Sequence, residues 1–313
     1  MSAEVASGVV ACEPKRSGLA GATIPLVMTK PNSNSPDFIP AAYSARFIYY
    51  FNKFVRRMFR KGFHAVRILP EHANALAEFN ERDGPLLVLL SHSSWWDPLL
   101  SLVLHMHYSP RREPMAPMDA SQLRKFGIFR RIGLFGIDPD DPKSLEAMGA
   151  YVSANFARNP KSSLWITPQG RFTDVRMPIE IRPGGAVIAA KTPGISVLVL
   201  AVEYGFWTDQ KPEVFLSWKP VHAAAGREGS TAAWHRAILE AMTENNLVLS
   251  DAVKSRDPAK FLAVFDSGGA AATNWWYDLW LRLRGRSSRV EDRHFAQSPS
   301  RSNGSEAATS THP

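Results

Sequence analysis

His92 and Asp97, five positions apart in "SHSSWWDP", are the residues whose types and spacing could do chemistry. A neutral imidazole takes a proton from an alcohol when a carboxylate holds its other ring nitrogen and stabilises the imidazolium. In such a pair Asp97 orients the base, no enzyme nucleophile is needed, and a hydroxyl of the acceptor itself attacks. Ser91, Ser93 and Ser94 flank the histidine and could line a site. None of them lies in a Gly-x-Ser-x-Gly elbow, which argues against a serine hydrolase. The same stretch also fits a plain strand-to-helix join, with Asp97 as N-cap and Pro98 at the first helical position. Read alone, "HSSWWD" leaves both possibilities open. His105 and His107 follow with no carboxylate or cysteine cluster and read as core or surface histidines rather than metal ligands.

The elements around this pair alternate. Apolar runs at 85–91, 162–167 and 195–202, bounded by Pro, Gly or Ser, predict buried strands. Helical patterns fall near 97–107, 119–132, 143–158, 185–192 and 229–247. That alternation predicts an α/β domain with a mostly parallel central sheet flanked by helices. In such sheets sites lie outside the carboxyl ends of the strands, which is where His92 falls. No internal repeat is visible.

The chain of 313 residues carries 37 Lys and Arg against 29 Asp and Glu, a net charge of +8. The excess suits an acidic partner such as an anionic membrane surface, a phosphorylated substrate or an acidic carrier protein. Nucleic acid also fits the charge, but no recognised binding module is present, and the expectation is no nucleic acid. The lone Cys12 excludes an internal disulfide and a cysteine-based zinc site, and it fits a reducing compartment. The sequence has no secretory signal and no span of about 20 apolar residues, so contact with a membrane would be peripheral.

A second motif bears on the first. "SSLWITPQGRFTDVRMPIEIRPGGAVIAAKTPGISVLVLAV" runs strand, Pro-Gln-Gly-Arg turn, basic loop, Arg-Pro-Gly-Gly, helix, turn, strand. With the His-x-x-x-x-Asp block ahead of it, the chain resembles the lysophospholipid/glycerolipid acyltransferase superfamily over about residues 80 to 205. That family carries a His-x-x-x-x-Asp block, a Gly-x-x-Phe-Ile-x-Arg block, a Phe-Pro-Glu-Gly-Thr-Arg block and a Phe-Lys-x-Gly element, in that order. The resemblance implies a glycerolipid-acyltransferase-like fold, with His92 as general base and Asp97 as its orienting acid. Thr167, Pro168, Gln169, Gly170 and Arg171 stand at the third block, and Arg182, Pro183 and Gly184 at the Lys-x-Gly element. Pro168, Gln169, Gly170, Arg171, Arg182 and Gly184 are therefore the expected substrate-binding residues, with Gly170 a candidate to offer N–H donors to the oxyanion.

Two departures bear on the acceptor. Gln169 stands where the family has glutamate; it can hydrogen-bond a hydroxyl but supplies no charge. Pro139 stands where the family often has a phosphate-binding arginine. Both point away from a phosphate-bearing acceptor such as glycerol 3-phosphate or lysophosphatidate, although Arg130, Arg131, Arg171, Arg176 and Arg182 are other cations within the region. The acceptor is then a lysolipid or a neutral lipid-linked hydroxyl such as a glycosylated terpenoid. The resemblance implies transfer from acyl-CoA or acyl-carrier protein with no metal or redox cofactor. The competing reading is a non-catalytic lipid-binding or membrane-shaping protein on the same fold.

Two flanking segments read as amphipathic membrane-surface helices. In "AAYSARFIYYFNKFVRRMFRKGFHAV", Phe47, Phe51, Phe54 and Met58 recur on one side, with Lys53, Arg56, Arg57, Arg60 and Lys61 on the polar side. In "TNWWYDLWLRLRGRSSR", Trp275, Trp276, Tyr277 and Trp280 precede Arg282, Arg284 and Arg286. The predicted organisation is a disordered arm over 1–40, a surface helix over 41–69, the acyltransferase domain over 70–268, an interfacial helix over 269–290 and a disordered tail over 291–313. Such a chain is expected in the cytoplasm, peripheral on the inner face of a membrane.

Overall fold

A computed structural model describes residues 38–207 and 209–266, together with Arg284. The predicted interfacial helix over 269–290 apart from Arg284, the tail and nearly all of the arm lie outside the described residues. The strands are β1 (Ala65–Ile68), β2 (Leu86–Leu90), β3 (Glu113–Asp119), β4 (Leu134–Ile137), β5 (Ser162–Ile166), β6 (Ser196–Gly205), β7 (Glu213–Val221) and β8 (Leu262–Asp266). The helices are α1 (Ala45–Gly62), α2 (Ala75–Glu81), α3 (Asp97–Tyr108), α4 (Ala120–Lys125), α5 (Pro142–Arg158), α6 (Gly184–Lys191) and α7 (Thr231–Lys254).

One eight-stranded sheet runs in the order β4-β3-β5-β2-β6-β7-β1-β8. The five strands from β4 to β6 are mutually parallel, β7 turns antiparallel to β6, and β8 is antiparallel to β1. The α/β architecture with a mostly parallel sheet is thus as the alternating pattern predicts. β2 is the central parallel strand, covered on both faces, which is why it reads "LLVLL" without a polar residue. Its period-two side chains feed two cores. Leu86, Val88 and Leu90 join Ile48, Val55 and Phe59 of α1 and Leu100 and Leu104 of α3. Leu87 and Leu89 join Val152 and Phe156 of α5, Ile188 of α6 and Ile238 of α7. Each such buried side chain contributes about 1.5–3 kcal/mol to the layer beneath the site.

The predicted strands and helices from 85 to 202 are found within a few residues, with one interruption. The helix expected over 119–132 stops at Phe126 (φ −116°, ψ 50°) and continues as a 3₁₀ turn, Gly127–Ile132, closed by Gly133 at φ +98°. A β-carbon on Gly133 would lie 2.1 Å from the Pro114 carbonyl oxygen, so only glycine fits.

Strand β3 escaped the sequence reading because "EPMAPMD" holds two prolines and little β-branched character. It is tolerated because the strand changes partner midway. Glu113–Met115 pairs with β5 and Ala116–Asp119 with β4, so each proline sits in a half paired on one side.

The surface helix is shorter than 41–69. Ser44 caps it by accepting from the Phe47 N–H, and Phe63 ends it in an extended conformation. Ala65–Ile68 is strand β1, inserted between β7 and β8. Phe47, Phe51 and Met58 pack partly against the core, whereas Phe54 is 56% exposed beside exposed Tyr49 and Tyr50. The last residues of the predicted arm are also engaged: Phe38 packs on Phe135 and Tyr151, and Ile39 bridges to Gly136.

Candidate active site

Register fixes what meets His92. Leu89 of β2 is level with Ile166 of β5, and Leu90 with Leu200 of β6. Three residues on from Leu89 and Ile166, the carboxyl ends bring His92 beside Gln169. On the other side, continuing the β6 register brings the Ser93–Ser94 turn beside Tyr204. The chain crosses over β2 between β5 and β6, so the site occupies the switch point of the parallel sheet.

Asp97 is fully buried and its carboxylate accepts four hydrogen bonds. Oδ2 lies 2.9 Å from Nδ1 of His92 and accepts the backbone N–H groups of Ser93 (2.9 Å) and Ser94 (2.8 Å). Oδ1 accepts the Tyr204 hydroxyl at 2.7 Å. Asp97 is the first residue of α3 rather than its cap; Trp96 holds that position. The carboxylate turns back toward the strand, because the two serine N–H groups and the imidazole supply donors there. The charge of a buried carboxylate is tolerable only with such satisfaction.

With Nδ1–H donating to Asp97, Nε2 of His92 is left as the proton acceptor. The His92 side chain keeps 15% of its surface open. Its backbone is clamped as well: the N–H donates to Oε1 of Gln169 at 2.8 Å, and the carbonyl accepts from the Thr173 N–H at 2.8 Å. Phe172, 60% exposed, lies against the imidazole with ring centroids 4.3 Å apart. Trp95 is 63% exposed at the same mouth, while Trp96 packs inward on Phe59 and Phe63.

The predicted substrate residues divide into groups. Pro168, Gln169 and Gly170 form the turn beside His92, closed by the Gly170 N–H donating to the Thr167 carbonyl at 3.1 Å. That bond uses the Gly170 N–H, so the expected oxyanion donor is already engaged. Gly170 sits at φ +68°, and a β-carbon there would approach Nε of Arg182 to 2.9 Å. Arg182 folds over the turn, its N–H bonded to the Pro168 carbonyl at 2.8 Å. Its guanidinium reaches the Pro139 carbonyl (2.9 Å) and Asp140 (3.1 Å). Arg171 points to Glu180 at 2.9 Å on the outer side of the loop. Gly184 opens α6 with no neighbour near its absent side chain. The tight approach belongs to Gly185, where a β-carbon would lie 2.6 Å from Cδ2 of Leu89.

Tyr204 is the residue that motif reading missed. Burial, and then the Asp97 charge, push its phenol well above the ordinary value, so it stays a donor across the working pH range. Its signal was available only through register: "VEYG" ends the strand next to β2. Among the described residues no group of three or more His, Cys, Asp or Glu could hold a metal ion. His105 is buried, with Nδ1 3.1 Å from the Ser109 hydroxyl.

Residues 69–203 match the model of the Acyltransferase family. No curated protein matches the sequence. Among solved structures, the chain is similar to the 1-acyl-sn-glycerophosphate (LPA) acyltransferase PlsC of Thermotoga maritima, at 18% identity and a TM-score of 0.41, covering 65% of this chain and 79% of that one.

Proposed function

We propose that this chain, whose residues 69–203 match the Acyltransferase family, moves an acyl group from a thioester, acyl-CoA or acyl-carrier protein, to a hydroxyl of a membrane lipid. The observation that carries this reading is the imidazole of His92, anchored through Nδ1 to the buried Asp97 and open at Nε2. The acceptor oxygen attacks the thioester carbonyl while its proton passes to Nε2. The new C–O bond forms, the C–S bond breaks, and the proton returns to the departing thiolate. The imidazolium formed in between is stabilised by Asp97, whose remaining oxygen is fixed by Tyr204. Gln169 holds the His92 backbone with its carbonyl, leaving its amide N–H2 group to donate to a substrate oxygen.

Lipid access is supported by the apolar side chains around the site mouth. Trp95, Phe172, Met177 and Phe206 are all exposed on loops following the carboxyl ends of β2, β5 and β6. Helix α1 adds exposed Tyr49, Tyr50 and Phe54 among Lys53, Arg57, Arg60 and Lys61, a composition that suits anionic lipid headgroups. Among the described residues no helix is long and apolar enough to cross a membrane. We propose a peripheral position on the inner, cytoplasmic face of a membrane, a reading supported by the exposed aromatic and cationic side chains of α1.

The test is an acyl-transfer assay with purified protein, labelled acyl-CoA or acyl-carrier protein, and a total lipid extract, with products identified by mass spectrometry. A new acylated lipid that disappears with His92→Ala is the expected result. No product from either donor, with vesicle binding intact, would replace this reading with a lipid-binding one.

A further inference from the structure

The chain is cationic as a whole, yet the rim of the site is not. Two loops lie on the β5 side of the site: residues 138–141 after β4, and 167–183 between β5 and α6, the second bonded to the His92 backbone through Gln169 and Thr173. Arg182 ties them together through Pro139 and Asp140. Together they hold three cations, Arg171, Arg176 and Arg182, against five carboxylates, Asp138, Asp140, Asp141, Asp174 and Glu180, a net of −2. Each cation already faces a carboxylate: Arg171 with Glu180 at 2.9 Å, Arg176 with Asp174 at 2.6 Å, Arg182 with Asp140 at 3.1 Å. These pairs are exposed and individually weak, so a phosphate could open one of them. Opening a pair does not change the local net charge, and the field a dianion meets stays repulsive.

We propose that the acceptor hydroxyl sits on an uncharged lipid head, with no phosphomonoester beside it; this rests on the acyl-transfer reading. The reacting hydroxyl must come within hydrogen-bond reach of Nε2 of His92. A phosphate one or two carbons away from that hydroxyl would approach the second loop, whose Gln169 and Thr173 hold the His92 backbone and whose Arg182 carries Asp140 beside it. The donor escapes the restriction, because the phosphates of CoA lie at the far end of the pantetheine arm, away from the thioester. The polar groups that the rim does offer, the Gln169 amide and the Thr173 hydroxyl, suit neutral hydroxyls.

The test pairs two acceptors that differ only in the phosphate, 1-oleoylglycerol and 1-oleoylglycerol 3-phosphate, in the same neutral detergent micelles. A lipid extract, split by anion exchange into acidic and non-acidic fractions, is run beside them with both donor types. The expected result is product from the non-acidic fraction without phosphorus, and kcat/KM for the uncharged glycerolipid at least tenfold above that for its phosphate at low salt. The gap should narrow as salt screens the rim. The double variant Asp140→Asn/Glu180→Gln should raise the rate on the phosphate acceptor several-fold and leave the uncharged one unchanged. Equal or better use of the phosphate acceptor by the wild type, or a phosphorus-bearing product from the extract, overturns the inference while leaving acyl transfer standing. Absence of any acylated product from every acceptor and both donors overturns the acyl-transfer reading itself, and this inference with it.

Discussion

Helix α3 has a histidine near each end, and the two occupy opposite surroundings. His92, just ahead of the helix, is partly open and sets Nδ1 2.9 Å from a carboxylate. His105, in the last turn, is sealed against Trp165 and faces only a serine hydroxyl at Nδ1. Burial, opposed by a backbone hydrogen bond involving Arg112, pushes the His105 imidazole down to about 4. One side chain is held neutral and out of reach; the other is given a counter-charge and an open nitrogen. Proton transfer needs both of those, and only the first end of the helix supplies them.

The hardest blow to this contrast is Asp97→Asn. The amide oxygen can still accept from the serine N–H groups, so the turn survives, but the charge that stabilises imidazolium is gone. Acyl transfer is expected to fall by about 10³–10⁴-fold, with the melting temperature shifted by only a few degrees. An Asn variant that retains a tenth of the wild-type rate would show that Asp97 only shapes the turn.

At the other end the effect lies in stability rather than rate. The folded His105 titrates near 4 against an ordinary value of 6.5. The unfolded chain therefore takes up a proton below pH 6.5 that the folded protein refuses. The stability tied to neutral His105 is complete above pH 6.5 and drains away as pH falls toward 4, by about 3 kcal/mol at most. His105→Gln keeps a hydrogen bond to Ser109 but cannot titrate. Urea unfolding at pH 7 and pH 4.5 should show a flatter pH dependence for the variant, with acyl transfer at pH 7 little altered. Equal slopes would remove His105 from this account.

The His92 end was legible because its parts are contiguous in sequence. "HSSWWD" holds the base, its partner and the two serine N–H groups that satisfy the carboxylate, and "TPQG" holds the turn that clamps the histidine backbone. The strands β2, β5 and β6 were legible because burial on both faces gives each a continuous run of apolar residues. What could not be read depends on register or on partners far along the chain. β3 hides behind two prolines whose tolerance comes from its switch between β5 and β4. Tyr204 lies 107 residues from Asp97 and meets it only once β6 is aligned with β2.

Tyr204→Phe sharpens the contrast at smaller scale. The ring stays against Phe63, while the donor to Asp97 is removed. Without it, Asp97 is less firmly held as the partner that orients His92. The expected outcome is a fall in kcat of about tenfold, the loss of one hydrogen bond to a charged group, with KM and the melting temperature little changed. A variant that keeps the wild-type kcat and loses only stability would make Tyr204 a packing residue.

The smallest effect separates two adjacent glycines beneath the site. The motif singled out Gly184, but the steric requirement falls on Gly185, where α6 crosses β2. Gly184→Ala places a methyl group in open space at the start of a helix and should be neutral or slightly stabilising. Gly185→Ala drives a methyl group against Leu89, which is itself fully buried and has little room to move. The overpacking, offset in part by alanine's better helix propensity, should cost about 1 kcal/mol net. Because Leu89 lies three residues before His92, the displaced strand end should also lower acyl transfer modestly. If Gly184→Ala proves the more damaging of the two, that glycine serves a substrate rather than the fold, and the motif was reporting chemistry where the packing shows none.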